Sequence, residues 1–262
     1  MTADLAPIRR RFGPDDLRPL LLEQGIEQTI LVQTRSSLDE TEEFLRMADE
    51  TDFIAGVVGW VDLTGHDVEQ ALDDLRTTPS GRRLVGIRHQ VHDEPDPDWL
   101  LRPEVRRGLA AIGACGLVFD LLVRTRELPA ALATVRDLPG LRFVIDHMAK
   151  PPIKEGVIDL WAGRISEFGG LTNVWCKVSG LVTEADWESW RPEQLSPYVE
   201  HVMGVFGPDR LMFGSDWPVC LLAASFRQVH EAARLTLGRL TPGELDRVFG
   251  YNAREVYRLP VN

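Results

Sequence analysis

The chain has 262 residues, 44% of them hydrophobic and 26% charged, with a formal net charge of −11. That composition is ordinary for a soluble globular protein, and the length is close to the ~250 residues of one (β/α)8 barrel. The acidic balance argues against a nucleic-acid partner, which needs clustered Lys and Arg. The one compact basic run, Arg9 to Arg11 beside Phe12, reads as a solvated turn. No apolar run approaches the ~18 residues of a membrane span, and the first residues lack the apolar region of a signal peptide. Cys115, Cys176 and Cys220 form no C-x-x-C, so they fit a reducing cytoplasm better than a zinc knuckle or a redox pair.

The elements alternate along the chain. Pro14–Gln24 opens on a proline and stops before Gly25, as a helix should. Gln28–Gln33 (QTILVQ) is the first strand. Ser37–Glu50 is a helix capped by Ser37, with Glu40 placed to complete a capping box. Strands follow at Phe53–Val61, Leu84–His89, Leu117–Val123, Arg142–His147, Val174–Ser179 and Arg210–Ser215. Helical patterns fill the intervals: Asp67–Thr77, Pro103–Cys115, Glu127–Leu138, Ile158–Phe168, Pro192–Phe206, Ala224–Leu237 and Pro242–Tyr251.

Repeated β–α units predict a parallel sheet covered by helices. No linker-like tract divides the chain, so residues 1–262 read as a single domain. No glycine-rich phosphate loop follows the first strand, which argues against a dinucleotide-binding fold. Polar residues close strand after strand: Gln33, Asp62, Arg88 and His89, His147, Lys177 and Ser179, and Asp216. A ring of strand ends explains that pattern better than a linear sheet with one crevice. Only seven strands can be counted. The expected fold is therefore an α/β, (β/α)8 TIM-barrel type whose first strand is missing, with Gln28–Gln33 and Arg210–Ser215 flanking the gap.

The run R-L-M-F-G-S-D-W-P, from Arg210 to Pro218, puts Asp216 just past a buried strand, where barrels keep their chemistry. Asp216 is the candidate general base toward water. R-F-V-I-D-H-M-A-K-P ends another strand at His147, the candidate partner that polarises a carbonyl or binds a metal that does. Arg88 and His89 follow each other in a strand, so one of the two faces the mouth. Either could bind substrate, Arg88 by gripping an oxyanion or carboxylate. His92 and Asp93 in the next loop are weaker candidates. Lys177 shares a face with Ser179, and a strand lysine needs a partner or a substrate. Trp217, beside Asp216, is the candidate aromatic wall. No G-x-S-x-G elbow occurs, which disfavours a serine hydrolase.

Four of these runs, G-I-R-H-Q-V-H-D-E-P-D-P-D-W-L, I-D-H-M-A-K-P-P-I, C-K-V-S-G-L-V-T-E-A-D-W and R-L-M-F-G-S-D-W-P-V-C, resemble the amidohydrolase superfamily. The resemblance is to its sugar-lactonase branch, similar to L-fuconolactonases and related to 2-pyrone-4,6-dicarboxylate lactonase, and it runs from about Leu5 to Leu259. It implies a barrel that opens a small lactone with water, Asp216 activating the water and His147 binding the carbonyl or a metal. It also implies that a binuclear centre is absent, because the strand Leu117–Val123 offers only Asp120. The superfamily's first-strand H-x-H pair has no match here, as if the chain began in the loop after that strand. Either a start placed too far downstream or a true truncation would account for this, and the first is the expectation. As written, the chain is expected to be poorly soluble and of little activity. The cofactor expectation is none, or one divalent metal such as zinc held by His147 and Asp216. Two other readings stay open: a mononuclear-metal hydrolase of another small carbonyl compound, and a non-catalytic barrel that binds sugar acids.

Overall fold

A computed structural model describes residues 3–259. All seven expected strands are present: β1 (Thr29–Val32), β2 (Ile54–Gly59), β3 (Leu84–His89), β4 (Val118–Leu121), β5 (Arg142–Ile145), β6 (Val174–Val178) and β7 (Leu211–Phe213). They pair in sequence order, every neighbour parallel, as one seven-stranded sheet. β3 coincides with its expected run; the other strands end one or two residues before theirs, because the last residues of those runs already turn into the following loop.

The nine expected helices appear in order, with two unexpected ones among them: α1 (Pro14–Gln24), α2 (Leu38–Glu50), α3 (Val68–Thr77), α4 (Pro103–Ala114), α5 (Leu128–Asp137), α6 (Asp159–Ser166), α7 (Leu181–Glu184), α8 (Pro192–Phe206), α9 (Phe226–Thr236), α10 (Pro242–Asp246) and α11 (Asn252–Val256), of which α7 and α11 are the unexpected ones. Two local expectations need correction. Ser37 caps α2 by accepting from the Glu40 N–H, but the Glu40 side chain does not reach back to Ser37. Its carboxylate accepts instead from the backbone N–H groups of Thr34 (2.8 Å) and Arg35 (2.9 Å), so it orders the β1–α2 loop. The last helix, expected over Pro242–Tyr251, is regular only to Asp246. Residues Arg247–Tyr251 widen into a π-helical turn before α11.

The core has two parts. Between sheet and helices lies a large cluster that includes Leu45, Leu72, Leu109, Ile112, Phe119, Phe143 and Phe168. Inside the curve of the sheet is a smaller one: Val58, Val118, Val144 and Met212 with Val256 and Tyr257. The C-terminal segment thus fills the interior from the amino ends of the strands. Two anchors hold it. Arg142 of β5 donates to the carbonyls of Val256 and, at 2.6 Å, Gly116. Asn252 donates to the carbonyls of Pro208 and Leu211, both at 2.7 Å.

The sheet is open between β1 and β7: no strand among the described residues pairs with their outer edges. The helical layer nevertheless closes there. α1 packs against α9, and Glu23 pairs with Arg227. A (β/α)8 barrel lacking one strand has this form. Among the described residues no helix is long and apolar enough to cross a membrane.

Candidate active site

Strand β5 delivers two side chains to the carboxyl end of the sheet, Asp146 and His147. Neighbours in an extended strand face opposite ways. Here His147, Met148, Ala149 and Lys150 take φ values of 51, 51, 58 and 50°. That left-handed turn costs about 1–2 kcal/mol for each L-residue. Its surroundings hold it. Buried Trp161 of α6 donates to the Met148 carbonyl at 2.7 Å, and Lys150 pairs with Glu184 of α7 at 2.6 Å. Strain of this kind persists where the structure around it over-determines the geometry, often at functional sites. The turn lets Asp146 point into the interior while His147 reaches the mouth.

At His147, Nδ1 lies 2.8 Å from the Ser179 hydroxyl, and Nε2 lies 3.8 Å from Asp216 Oδ1. Burial, opposed by Asp216 and Asp146, lowers the pKa of His147, so the imidazole is neutral at neutral pH. Asp216 follows β7 with φ 54°, and the Trp217–Pro218 peptide bond just after it is cis. Trp217 lies edge-on to Phe12, with ring centroids 5.2 Å apart.

One layer deeper lies a buried cluster of ions. Register places Arg88 of β3 beside Asp120 of β4. The Lys177 ammonium of β6 bridges Asp120 (2.5 Å) and Asp146 (2.6 Å). Its approach to Asp146 Oδ1 is close in distance but off-line as a hydrogen bond, leaving that oxygen without a hydrogen-bond donor. The contact is an ion pair. Arg88 donates to Asp146 Oδ2 at 2.8 Å and to the Gln33 carbonyl. Tyr257 donates to both Asp120 oxygens, at 2.8 and 3.0 Å.

Burial is the largest influence on Asp120, Asp146 and Lys177. It pushes Asp120 up to about 6 against the pull of Lys177. At Asp146 burial also opposes ionisation, but Lys177 and Arg88 together outweigh it and hold the carboxyl below its usual range. At Lys177 burial opposes the ammonium, and Asp120 and Asp146 outweigh it, so its pKa rises. Asp120 and Lys177 thus both move up, which looks contradictory for one ion pair. The asymmetry explains it: Lys177 has two carboxylates, whereas Asp120 shares its ammonium with Asp146.

The structure therefore brings His147 and Asp216 together, sets Trp217 beside Asp216, and places Lys177 and Arg88 beneath them on internal carboxylates. Of the Arg88–His89 pair, Arg88 faces inward. His89 stands apart on the other side of β3, stacked on Trp99 with centroids 4.4 Å apart. Trp60 donates to its Nδ1 at 3.0 Å, so its Nε2 carries the proton and donates to Glu94 at 2.8 Å. Asp146 and Tyr257 were not singled out from the sequence. The period-two series Arg142, Val144, Asp146 points to the first. Nothing in the sequence points to Tyr257, which lies beyond the last expected helix.

A catalytic zinc takes three protein ligands and keeps an open position. Among the described residues no three His, Cys, Asp or Glu side chains gather around one point. His147 and Asp216 are two donors, and Asp120 and Asp146 already face an ammonium. By themselves these residues do not complete a three-ligand site. Two surface grooves flank the mouth, one of about 750 Å³ lined by Lys154, Glu184, Trp187 and Leu222, the other of about 400 Å³ lined by Thr34, Ser36, Gln90 and Glu94. Neither is lined by His147 or Asp216.

Known proteins agree with this architecture. Residues 1–259 match the family model described as amidohydrolase. The L-fucono-1,5-lactonase of Burkholderia ambifaria is 42% identical over 264 residues, covering 97% of this chain and 88% of that protein. The L-fucono-1,5-lactonase of Burkholderia multivorans is 36% identical over 269 residues, 98% of this chain and 90% of that one. A crystal structure of an amidohydrolase from Burkholderia multivorans with bound zinc superposes with a TM-score of 0.94 at 36% identity, covering 99% of this chain and 93% of that one. The chain belongs to the amidohydrolase family, in its sugar-lactonase branch, and is a hydrolase of that type.

Proposed function

We propose that the chain, acting as one domain, hydrolyses the cyclic ester of a small uncharged sugar lactone, with water activated by Asp216. The observation that carries this reading is the His147–Asp216 pair, 3.8 Å apart at the carboxyl ends of β5 and β7. A group lodged between them is within reach of both. With Ser179 donating to Nδ1, the neutral imidazole keeps its proton on Nε2, aimed at the lactone carbonyl oxygen. Asp216 takes a proton from water as the water oxygen bonds to the carbonyl carbon. The tetrahedral oxyanion is held by the Nε2–H of His147. Collapse breaks the ring C–O bond, and Asp216 returns its proton to the departing alkoxide. The product is the open-chain acid.

Charge argues for an uncharged substrate. Around the mouth Lys150 pairs with Glu184, Lys154 with Asp186 and Arg35 with Glu40. Beneath it Arg88 and Lys177 face Asp146 and Asp120. Each of these cations is already matched, and Asp216 adds a negative charge that disfavours an anionic lactone and helps expel an anionic product.

The test is turnover of L-fucono-1,5-lactone, the substrate in the names of the two Burkholderia relatives, beside a lactone bearing a free carboxylate. Hydrolysis of the neutral compound is expected, with the carboxylate analogue much poorer. A preference for the charged lactone contradicts it. The zinc in the Burkholderia multivorans structure carries a second reading, a metal-assisted reaction. Loss of turnover on chelation, restored by zinc, favours that reading.

A further inference from the structure

The four buried ions under the mouth are joined by a neutral member from outside the sheet. Tyr257 follows α11, and its hydroxyl reaches both oxygens of Asp120. It is held there by Asn252 and Arg142, which fix α11 to β7 and β5. The Lys177 ammonium lies 5.7 Å from the centre of the Tyr257 ring. A chain of contacts therefore runs from the C-terminal segment to the mouth: Tyr257 to Asp120, Asp120 to Lys177, Lys177 to Asp146, and Asp146 to its neighbour His147.

We propose that Tyr257 is a positioning residue of the active site, holding Asp120 in its charged form so that Lys177 stays shared between Asp120 and Asp146 and the floor beneath His147 and Asp216 stays neutral. The groups that face Asp120 are Arg88 from β3, Asp146 from the end of β5, Lys177 from β6 and Tyr257 itself. Tyr257 is the one neutral donor among them. Its own pKa is pushed well above the ordinary value, by burial first and then by the two carboxylates, so it keeps its proton. When Asp120 is protonated, Lys177 leans wholly on Asp146 and the floor gains a positive charge. That charge weakens Asp216 as a base. Burial already pushes Asp120 up to about 6, close enough to neutrality for one lost hydrogen bond to matter.

The kinetic consequence rests on the proposed lactone hydrolysis; the titration does not, so two measurements are paired. The first is kcat/KM against pH for the wild type and Tyr257→Phe. The second is the titration of Asp120 by carbon-13 NMR of labelled aspartate, assigned by the resonance missing in Asp120→Asn. In Tyr257→Phe both the acid limb of the profile and the Asp120 titration should move up by about one pH unit, with turnover little changed well above the limb. An Asp120 titration left in place by the substitution overturns the proposal. So does a uniform loss of activity with an unmoved limb, which is what a merely structural role would produce. If no lactone is turned over, the functional reading fails while the titration still decides this one. If Tyr257→Phe does not fold, 3-fluorotyrosine supplies a stronger donor of nearly the same shape. It must then shift the Asp120 titration down, and no shift refutes the coupling.

Discussion

Gly180 stands against the ring of His147 where no Cβ fits: one built there would lie 2.7 Å from Nδ1 and 2.8 Å from Cγ. Gly180 also has φ 64°, in the left-handed region that favours glycine. The loop after β6 thus sets how the imidazole rests against Ser179. Gly180→Ala is expected to cost about 1–2 kcal/mol in backbone strain and to push the ring off Ser179. Turnover should fall on the order of 10²-fold, as displacements of about 1 Å do. Thermal unfolding and kcat measured together check this. Unchanged kcat would show that the ring has another place to go.

The lysine under the mouth makes a different prediction. Lys177→Met keeps the length of the side chain and removes the charge that Asp120 and Asp146 share. Breaking a buried pair by removing one partner costs about 3–5 kcal/mol. The sign with pH follows from Asp146, whose carboxyl is held low in the folded protein. Its stabilising share is present above the unfolded carboxylate pKa and lost as pH falls through the folded value. The deficit of Lys177→Met should therefore be largest near neutrality and shrink on acidification. Urea midpoints at several pH values measure it, and a deficit independent of pH would contradict the account.

Asp120 has the opposite sign. Its pKa is raised to about 6 from an ordinary 3.8, so between those values the folded state holds the proton more tightly than the unfolded state. Its contribution to stability is greatest below about 4 and declines as pH rises toward 6. Asp120→Asn removes that decline. Denaturation of the two proteins across this window should show the wild type losing stability relative to the variant as pH rises, and parallel curves would refute it.

Trp161 holds the strained turn from outside the mouth. Trp161→Phe keeps most of the buried ring but strips the donor from the Met148 carbonyl, leaving a buried acceptor unpaired at about 1–3 kcal/mol. With the turn loosened, His147 is less well placed. The expected result is a lower melting temperature and a fall in kcat larger than any change in KM. A lower melting temperature with normal kcat would confine Trp161 to packing.

Much of the frame was legible in the sequence. Short apolar runs closed by polar residues marked all seven strands, and the spacing of those ends placed His147 and Asp216 on one rim. Two things were not. Asp146 and His147 adjoin, and strand alternation allows only one of them inward; the left-handed turn that evades this rule has no glycine to announce it. Tyr257 reaches Asp120 from 137 residues away in the chain, and such a contact leaves no local pattern. Isolated charges on a strand demand partners, and for Arg88 and Lys177 the sequence leaves a substrate and an internal ion pair both open. The partners turned out to be Asp120 and Asp146, visible as residues but not as neighbours.

Asp216 is the residue on which the proposed hydrolysis most directly depends. Asp216→Asn keeps the shape of the side chain and cannot accept a proton from water. Assayed on L-fucono-1,5-lactone near neutrality, with the fold checked by its thermal melt, this variant should lose about 10²–10⁴ in kcat while retaining the wild-type melting profile. Turnover within a few-fold of wild type would remove Asp216 from the reaction and contradict the mechanism.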